Sequence, residues 1–207
     1  MEQVSLKPHQ ILSTLKSNST LDLIPGLAVA LTGENGVGKS TFFHALKTVA
    51  NQNLKLKNNC SFLDQLPLQP LSHLRGIDYL NTIIEFCPQT VLTKNLKAFE
   101  LIEQFSFHQH LEKRVVELSG GENQTLKILG TFLINGGFYF LDEPTHFLDI
   151  NRRNTLENYL KSLLKQNKSL FMIEHDQLFL RNICNKFYCL TRSSFEISFF
   201  EEDKLKL

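Results

Sequence analysis

The chain has 207 residues, which suits one domain large enough to bury a core without disulfides or a structural metal. Its 22 Lys and Arg residues nearly balance its 21 Asp and Glu residues, and the formal net charge is +1. A nearly neutral chain has no overall field that would favour a nucleic acid or an acidic membrane as its partner.

Membrane insertion and secretion are not indicated by the sequence. The longest apolar stretches, such as 138–141 and 195–200, are much shorter than the roughly 20 residues that a membrane helix requires. The chain also lacks a basic start followed by an apolar core, which is the pattern of a secretory signal. The four cysteines form no C-x-x-C pair, so we expect free thiols. We therefore expect a cytosolic protein whose role at a membrane, if any, depends on a partner.

The first predicted elements lead into a glycine-rich loop. Residues 1–25 are polar and are predicted to form two short strands joined by a turn around 16–20. Residues 27–31 are a continuous apolar run, which is typical of a strand buried on both faces. Residues 40–49 then have the spacing of an amphipathic helix. Strand, glycine loop and helix follow one another in the order of a phosphate-binding loop.

The loop at 33–40 has the pattern Gly-x-x-x-x-Gly-Lys-Ser, which provides what a nucleotide polyphosphate requires. Its glycines let backbone N–H groups approach the phosphates, Lys39 can reach the β and γ oxygens, and Ser40 can bind Mg²⁺. The alternative, a glycine-rich turn that matches by chance, is less consistent with the flanking strand and helix. The predicted nucleotide-binding residues here are Gly33, Glu34, Asn35, Gly36, Val37, Gly38, Lys39, Ser40 and Thr41.

After this loop, the chain is predicted to form a short strand at 60–63 and then a helical insertion. From residue 66 the spacing becomes helical, and prolines interrupt it. Two series of apolar residues define the predicted helices: Leu71, Leu74, Ile77 and Leu80 in the first, and Leu96, Phe99, Ile102 and Phe105 in the second. We expect a mostly helical subdomain over about 66–117.

The second half of the chain is predicted to alternate helices with strands. Ser119 can cap a new helix, and Glu122 completes a capping box with it. Strands are predicted at 138–141 and 169–173, with an amphipathic helix at 152–166 between them. Strands that alternate with helices predict a mostly parallel sheet in a three-layer α/β core.

Two adjacent carboxylates, Asp142 and Glu143, follow the predicted strand at 138–141. Where the chain turns at the end of a strand, one carboxylate can hold Mg²⁺ while the other reaches an attacking water. We predict that Asp142 is the Mg²⁺ ligand and that Glu143 is the general base. The alternative is a solvated acidic turn, which is less consistent with the apolar strand before it and Pro144 after it.

His175 comes two residues after the predicted strand at 169–173. Ligands of open α/β sheets bind at the carboxyl edge, where a histidine can hydrogen-bond a γ-phosphate. We include His175 among the catalytic candidates. A lone histidine at a strand end is otherwise an ordinary residue, so this assignment depends on the other motifs.

Together these motifs resemble those of ATP-binding cassette (ABC) ATPases, in the same order and at similar spacing over about 27–190. The most specific is Leu-Ser-Gly-Gly-Glu at 118–122, which favours ABC ATPases over kinases, GTPases and helicases. The matching elements are 33–40, Gln65, 118–122, 138–143, Asp149 and His175. The resemblance implies ATP and Mg²⁺ as ligands, one nucleotide-binding domain over 1–207, and a P-loop NTPase core with a small N-terminal β portion and a helical subdomain.

The resemblance also implies roles for individual residues. Ser119, Gly120 and Gly121 would contact the γ-phosphate of ATP that a second cassette holds. Gln65 would contact Mg²⁺ and the attacking water, which makes it both a catalytic and a metal-site candidate, and Asp149 would cross the interface between cassettes. The active form would be a head-to-tail dimer, either of this chain with itself or with a paralogue.

Three departures from the family pattern are visible. The first aromatic residue is Phe42, so none precedes the phosphate loop to stack on adenine, and His9 is the suggested substitute. Residues 124–127 replace a stretch that usually contains arginine, and the segment 39–65 is short. We expect a trimmed cassette in which hydrolysis is slow.

The motifs do not decide what ATP hydrolysis drives. The leading hypothesis is the ATP-binding subunit of an ABC transporter at the cytoplasmic face of a membrane, where its helical insertion binds an integral membrane subunit and no nucleic acid is contacted. A second hypothesis is a soluble ATPase acting in translation, because 143–149 is similar to the ABC-F motif Glu-Pro-Thr-Asn-His-Leu-Asp. A third is a nucleotide-gated binding module that does not require turnover.

Overall fold

The computed structural model describes residues 2–11, 20–65, 68–86, 91–191 and 197–200. The strands are β1 (Val4–Leu6), β2 (Leu21–Leu23), β3 (Ala28–Gly33), β4 (Cys60–Leu63), β5 (Phe138–Asp142), β6 (Ser169–Ile173), β7 (Lys186–Leu190) and β8 (Ile197–Phe200). The helices are α1 (Pro8–Ile11), α2 (Lys39–Gln52), α3 (Gly76–Phe86), α4 (Val91–Gln104), α5 (Gly120–Leu133), α6 (Ile150–Lys165) and α7 (Gln177–Ile183). Short 3₁₀ turns lie at Gln69–Leu71, His108–His110 and Val115–Glu117.

Among the described residues, the main sheet has six strands in the order β4-β5-β6-β3-β7-β8. The first five are parallel, and β8 pairs with β7 in the antiparallel direction. Ile173 at the end of β6 pairs with Leu31 of β3 on one side and with Asp142 of β5 on the other. The carboxyl ends of these three strands therefore meet at one edge, as the sequence predicts.

The sheet is covered on both faces, which confirms the predicted three-layer α/β core. Strand β5 is buried throughout, and its side chains alternate between two apolar clusters. Phe138 and Phe140 belong to the cluster that contains α2, β1 and β2, whereas Tyr139 and Leu141 belong to the cluster with α3 to α7. A strand buried on both faces needs a continuous apolar run, and this is why the predicted strands at 138–141 and 169–173 match the structure. The predicted strand at 60–63 also matches, as an edge strand that is buried only at alternate residues.

The predicted small N-terminal β portion is present as an antiparallel pair, in which β1 faces β2. Most of the predicted turn at 16–20 lies outside the described residues. Cys60, Cys184 and Cys189 are free thiols, as expected, and Cys87 lies outside the described residues. In the described part of the chain, no helix combines the length and apolar character that a membrane span requires.

The first predicted helix of the insertion begins later than the sequence suggested. Leu71 ends a 3₁₀ turn, Leu74 lies in a turn, and α3 begins only at Gly76. The reason is that Arg75 pairs with Arg114 in an isolated antiparallel bridge, which requires extended backbone immediately before the helix. The helical spacing of apolar residues therefore begins at Leu71, five residues before the helix itself begins.

The predicted apolar series of the second helix is only half correct. In α4, Ile102 is buried, but Leu96 is 57% exposed and Phe99 is 58% exposed. Residues at a strict spacing of three advance by about 300° per step, so such a series drifts around the helix by about 60° each time. The face that packs into the core instead consists of Ala98, Leu101, Ile102 and the following Phe105.

Candidate functional site

The phosphate loop connects β3 to α2 and is shaped by glycines. Gly38, which immediately precedes α2, has φ 106° in the left-handed region. Gly33 has φ 147°, and a Cβ atom there would lie 2.5 Å from the carbonyl oxygen of Leu190 on β7. Only glycine fits both positions without strain, so the loop can wrap closely at the start of a helix, where N–H groups point outward.

The pocket at this loop has a volume of about 520 Å³, which is within the usual range for ligand sites. It joins residues of the phosphate loop to residues from the ends of β5 and β6. The lining residues are Asn35, Gly36, Gly38, Lys39, Ser40, Thr41, Glu143, Ile173 and His175. The structure therefore brings together most of the predicted phosphate-loop residues with Glu143 and His175. His9, the suggested adenine partner, does not line this pocket.

Lys39 is held over the loop by the loop itself. Its Nζ donates to the carbonyl oxygens of Gly33 at 2.8 Å and Glu34 at 2.9 Å, and the residue is only 7% exposed. Burial lowers the pKa of Lys39, and the carboxylates of Glu143 and Asp142 act in the opposite direction. The ammonium group is thus fixed at the wall of the pocket.

Glu143 and His175 face each other across the carboxyl edge of the sheet. Glu143 Oε1 lies 3.3 Å from His175 Nε2. Glu143 has φ 48°, which is unusual for a residue other than glycine, and its N–H donates to Ile173 O at 2.8 Å. This hydrogen bond extends the β5–β6 pairing by one residue before the chain turns. The turn directs the carboxylate of Glu143 into the pocket, as the general-base prediction requires.

Asp142 ends β5 and is 2% exposed. Its Oδ1 is buried and has no hydrogen-bond partner among the described residues. Burial, together with the nearby carboxylates of Glu143, Asp64 and Glu174, raises the pKa of Asp142 to about 7. A buried carboxylate oxygen without a donor fits a cation ligand, because a divalent cation would offset both effects. Asp142 Oδ1 is therefore compatible with a role as a Mg²⁺ ligand.

The three predicted metal-site residues do not share one pocket. Ser40 lines the phosphate-loop pocket, whereas Asp142 and Gln65 line a neighbouring groove of about 350 Å³, and Glu143 lines both. Gln65 itself is exposed. Lys127 also lines the groove; burial lowers its pKa, while Asp64 and Asp142 oppose that shift.

Ser119 caps α5 as predicted. Its Oγ accepts from Glu122 N at 3.3 Å, and Ser119 N donates to Glu122 Oε2 at 2.8 Å, which together form a capping box. The other carboxylate oxygen of Glu122 lies 3.2 Å from Lys113 Nζ and 3.1 Å from His110 Nδ1. Helix α5 is thereby connected to the segment that follows α4.

Ser119, Gly120 and Gly121 belong to the Leu-Ser-Gly-Gly-Glu motif and are called the signature residues below. They do not line the phosphate-loop pocket of their own chain. Gly120 and Gly121 pack instead against the loop after β5, since a Cβ atom on Gly121 would lie 2.8 Å from Phe147 O. Asp149, at the end of that loop, caps α6 by accepting from Arg152 N at 2.9 Å. Its observed contact is therefore within its own chain.

Gln124 supports the site but is not among the residues predicted from the sequence. Gln124 belongs to the stretch that departs from the family pattern; it is buried, and its Nε2 lies 3.2 Å from the carbonyl oxygens of both Glu143 and Pro144. These contacts hold the turn that carries Glu143. The sequence carries no distinct signal for this role, because α5 also buries the polar residues Thr125, Lys127 and Thr131.

A family model described as ABC transporter matches residues 16–146. The chain belongs to the ABC family. It is 30% identical over 194 residues to ABC transporter E family member 1 of Arabidopsis thaliana, an alignment that covers 80% of this chain and 31% of that protein. It is 26% identical over 227 residues to ABC transporter F family member 2 of Dictyostelium discoideum, covering 93% of this chain and 36% of that one.

Among solved structures, an ATP-binding subunit of an ABC transporter superposes on this ABC cassette with a TM-score of 0.80 and 17% identity. The superposition covers 96% of this chain and 90% of that one, and it supports the cassette fold. By contrast, the chain spans only about a third of the length of the two curated relatives.

Proposed function

We propose that this ABC cassette binds Mg²⁺ and ATP and hydrolyses ATP to ADP and phosphate. The observation that carries the proposal is the position of Glu143 and His175 in the same pocket as the phosphate loop, with 3.3 Å between Glu143 Oε1 and His175 Nε2. A carboxylate at the phosphate loop, next to a histidine, is the arrangement needed to activate water beside a γ-phosphate.

In the proposed reaction, N–H groups of the loop and Lys39 bind the β- and γ-phosphates. Glu143 accepts a proton from the attacking water as the oxygen bonds to the γ-phosphorus, and the bond from that phosphorus to the ADP oxygen breaks. His175 donates a hydrogen bond to a γ-phosphate oxygen and keeps Glu143 in place. Ser40 and Asp142 would hold Mg²⁺ together with Gln65, and bound Mg²⁺ would offset the phosphate charge.

We further propose a head-to-tail dimer of cassettes as the active form. The signature residues Ser119, Gly120 and Gly121 begin a helix whose N–H groups can bind an anion, yet they do not line the pocket of their own chain. A second cassette that faces the first would place them on the partner's γ-phosphate. Each ATP would then be bound between two subunits.

The proposed role of this dimer is to drive a membrane partner, as the ATP-binding subunit of an ABC transporter at the cytoplasmic face. The second candidate is a soluble ATPase that acts in translation. It is favoured by the similarity of 143–149 to the ABC-F motif and by the match to an F family member over 93% of this chain. The first candidate requires an integral membrane subunit and the second requires ribosomes.

Two measurements test these proposals. Phosphate release from ATP by the purified chain, with Mg²⁺ and without it, tests hydrolysis, and an Mg²⁺-dependent release is expected. A pull-down from detergent-solubilised membranes in ATP, with a tagged Glu143→Gln variant, tests the partner. Recovery of a membrane protein that spans the bilayer several times supports the transporter hypothesis, whereas recovery only with ribosomes contradicts it.

A further inference from the structure

Glu174 is a buried carboxylate that sequence reasoning did not assign to the site. It follows β6 directly, is only 7% exposed, and does not line the phosphate-loop pocket. A carboxylate is costly to bury unless hydrogen-bond donors surround its oxygens. Its contacts therefore indicate what it contributes to the fold.

Each carboxylate oxygen of Glu174 accepts two hydrogen bonds. Oε2 accepts from Thr145 Oγ1 at 2.6 Å and from Thr145 N at 3.1 Å. Oε1 accepts from His175 N at 2.7 Å and from Asp176 N at 3.3 Å. One carboxylate thus joins the loop after β5 to the loop after β6, and four donors fill its acceptor positions.

Glu143 lies between the end of β5 and Thr145, the residue that Glu174 binds. Its left-handed φ of 48° is disfavoured for a side chain with a Cβ atom, and such conformations persist only where the surroundings impose them. On one side, its N–H donates to Ile173 O and its carbonyl oxygen accepts from Gln124 Nε2. On the other side, the chain is fixed two residues later by the hydrogen bonds from Thr145 to Glu174.

We propose that Glu174 is a positioning residue, which holds the Glu143 loop against the His175 loop through its hydrogen bonds with Thr145. The inference rests on the proposed hydrolysis of ATP and adds a requirement to it. Glu174 fixes the backbone N–H of His175 on one oxygen and the side chain and N–H of Thr145 on the other. The 3.3 Å approach of Glu143 to His175 depends on this link, and phosphate binding does not.

The test uses Thr145→Val, which keeps the size and the backbone N–H of the residue but removes the hydroxyl donor. We expect kcat to fall on the order of tenfold, because a small misplacement of a general base is costly, while KM and the Kd for ATP stay within about twofold. Thr145→Ser restores the hydroxyl and should restore kcat. Glu174→Gln leaves one acceptor oxygen for four donors and should reduce kcat further.

Thr131→Val is the matched control. Thr131 is also buried and donates through its hydroxyl to Lys127 O at 2.9 Å, but it lies within α5 and contacts neither loop. It should leave kcat unchanged, and circular dichroism establishes that each variant is folded. If Glu174→Gln does not fold, the two Thr145 variants decide the question.

The outcomes separate this inference from the proposed function. A parental protein that releases no phosphate from ATP overturns the proposed function and this inference with it. An active parental protein whose Thr145→Val variant has unchanged kcat overturns the inference alone. Equal losses in kcat and ATP affinity, or a Thr145→Ser variant as slow as Thr145→Val, also overturn it, because they indicate general destabilisation.

Discussion

Glu143 Oε1 lies 3.3 Å from His175 Nε2, and both side chains line the pocket of the phosphate loop. This contact follows from strand register. Asp142, the residue before Glu143, pairs with Ile173, and His175 comes two residues after Ile173. Because β5 and β6 are parallel neighbours, their ends deliver a carboxylate and an imidazole to the same place.

Replacing Lys39 with alanine tests the phosphate loop. Lys39 Nζ is fixed by two loop carbonyls at the pocket wall, and it is the proposed charged donor for the β- and γ-phosphates. Lys39→Ala should weaken ATP binding on the order of tenfold or more, since hydrogen bonds to charged groups are the stronger ones. Binding of a fluorescent ATP analogue measures this, with Lys57→Ala on the exposed surface as the control. Unchanged affinity would mean that 33–40 is not the phosphate site.

Two glycines of the same loop should differ in their tolerance of alanine. Gly33 has φ 147° and no space for a side chain, because a Cβ atom would lie 2.5 Å from a backbone oxygen. Gly36 has φ 74°, but a Cβ atom there meets nothing within 4 Å. Gly33→Ala should reduce the free energy of unfolding by more than about 2 kcal/mol, and Gly36→Ala by about 1 kcal/mol. Urea unfolding measures both, and equal losses would contradict the loop geometry.

Asp142 should make the metal-free protein less stable as pH rises. Its pKa is about 7 in the folded state against an ordinary value of 3.8, so between these values the folded chain keeps a proton that the unfolded chain releases. Stability therefore falls through this window. Asp142→Asn removes the charge, and in EDTA it should be more stable than the parental protein at pH 8 by on the order of 2 kcal/mol.

The difference between Asp142→Asn and the parental protein should shrink towards pH 4, where Asp142 is protonated in the folded chain. Thermal unfolding at the two pH values measures it. The same variant should lose the Mg²⁺-dependent increase in stability of its ATP complex. An Asn variant that is less stable than the parental protein at pH 8 in EDTA would contradict the unpartnered position of Asp142.

Much of the core was predictable from sequence because its signals are local. Strands buried on both faces are continuous apolar runs, and the predicted strand at 169–173 matches the structure at both ends. The start of α5 was equally clear, since Ser119 and Glu122 form their capping box within four residues of chain. The start of α3 was not predictable, because it is set by a pairing between Arg75 and Arg114.

In the candidate site, too, local features were predictable from the sequence and contacts between distant segments were not. Glu143 and His175 were predictable as strand-end residues, because parallel strands end at one edge. The support from Gln124 and from Glu174 was not, since it depends on contacts between segments that are distant in the chain. The left-handed φ of Glu143 has no signal in a Glu-Pro pair, and only the surrounding contacts account for it.

Glu143→Gln tests the proposal that Glu143 activates water on ATP held by a closed cassette dimer. Glutamine keeps the size of the side chain but cannot accept the proton, so hydrolysis should fall by at least about a hundredfold while ATP still binds. Glu85→Gln, a change of the same kind on the surface of α3, is the control.

The most direct measurement is phosphate release from Mg²⁺-ATP by parental and Glu143→Gln protein, with the mass of each particle determined by light scattering in the same sample. We expect the parental protein to release phosphate and the variant to accumulate as an ATP-bound dimer without release. Phosphate release by Glu143→Gln at the parental rate would contradict the proposal, because another group would then be the base.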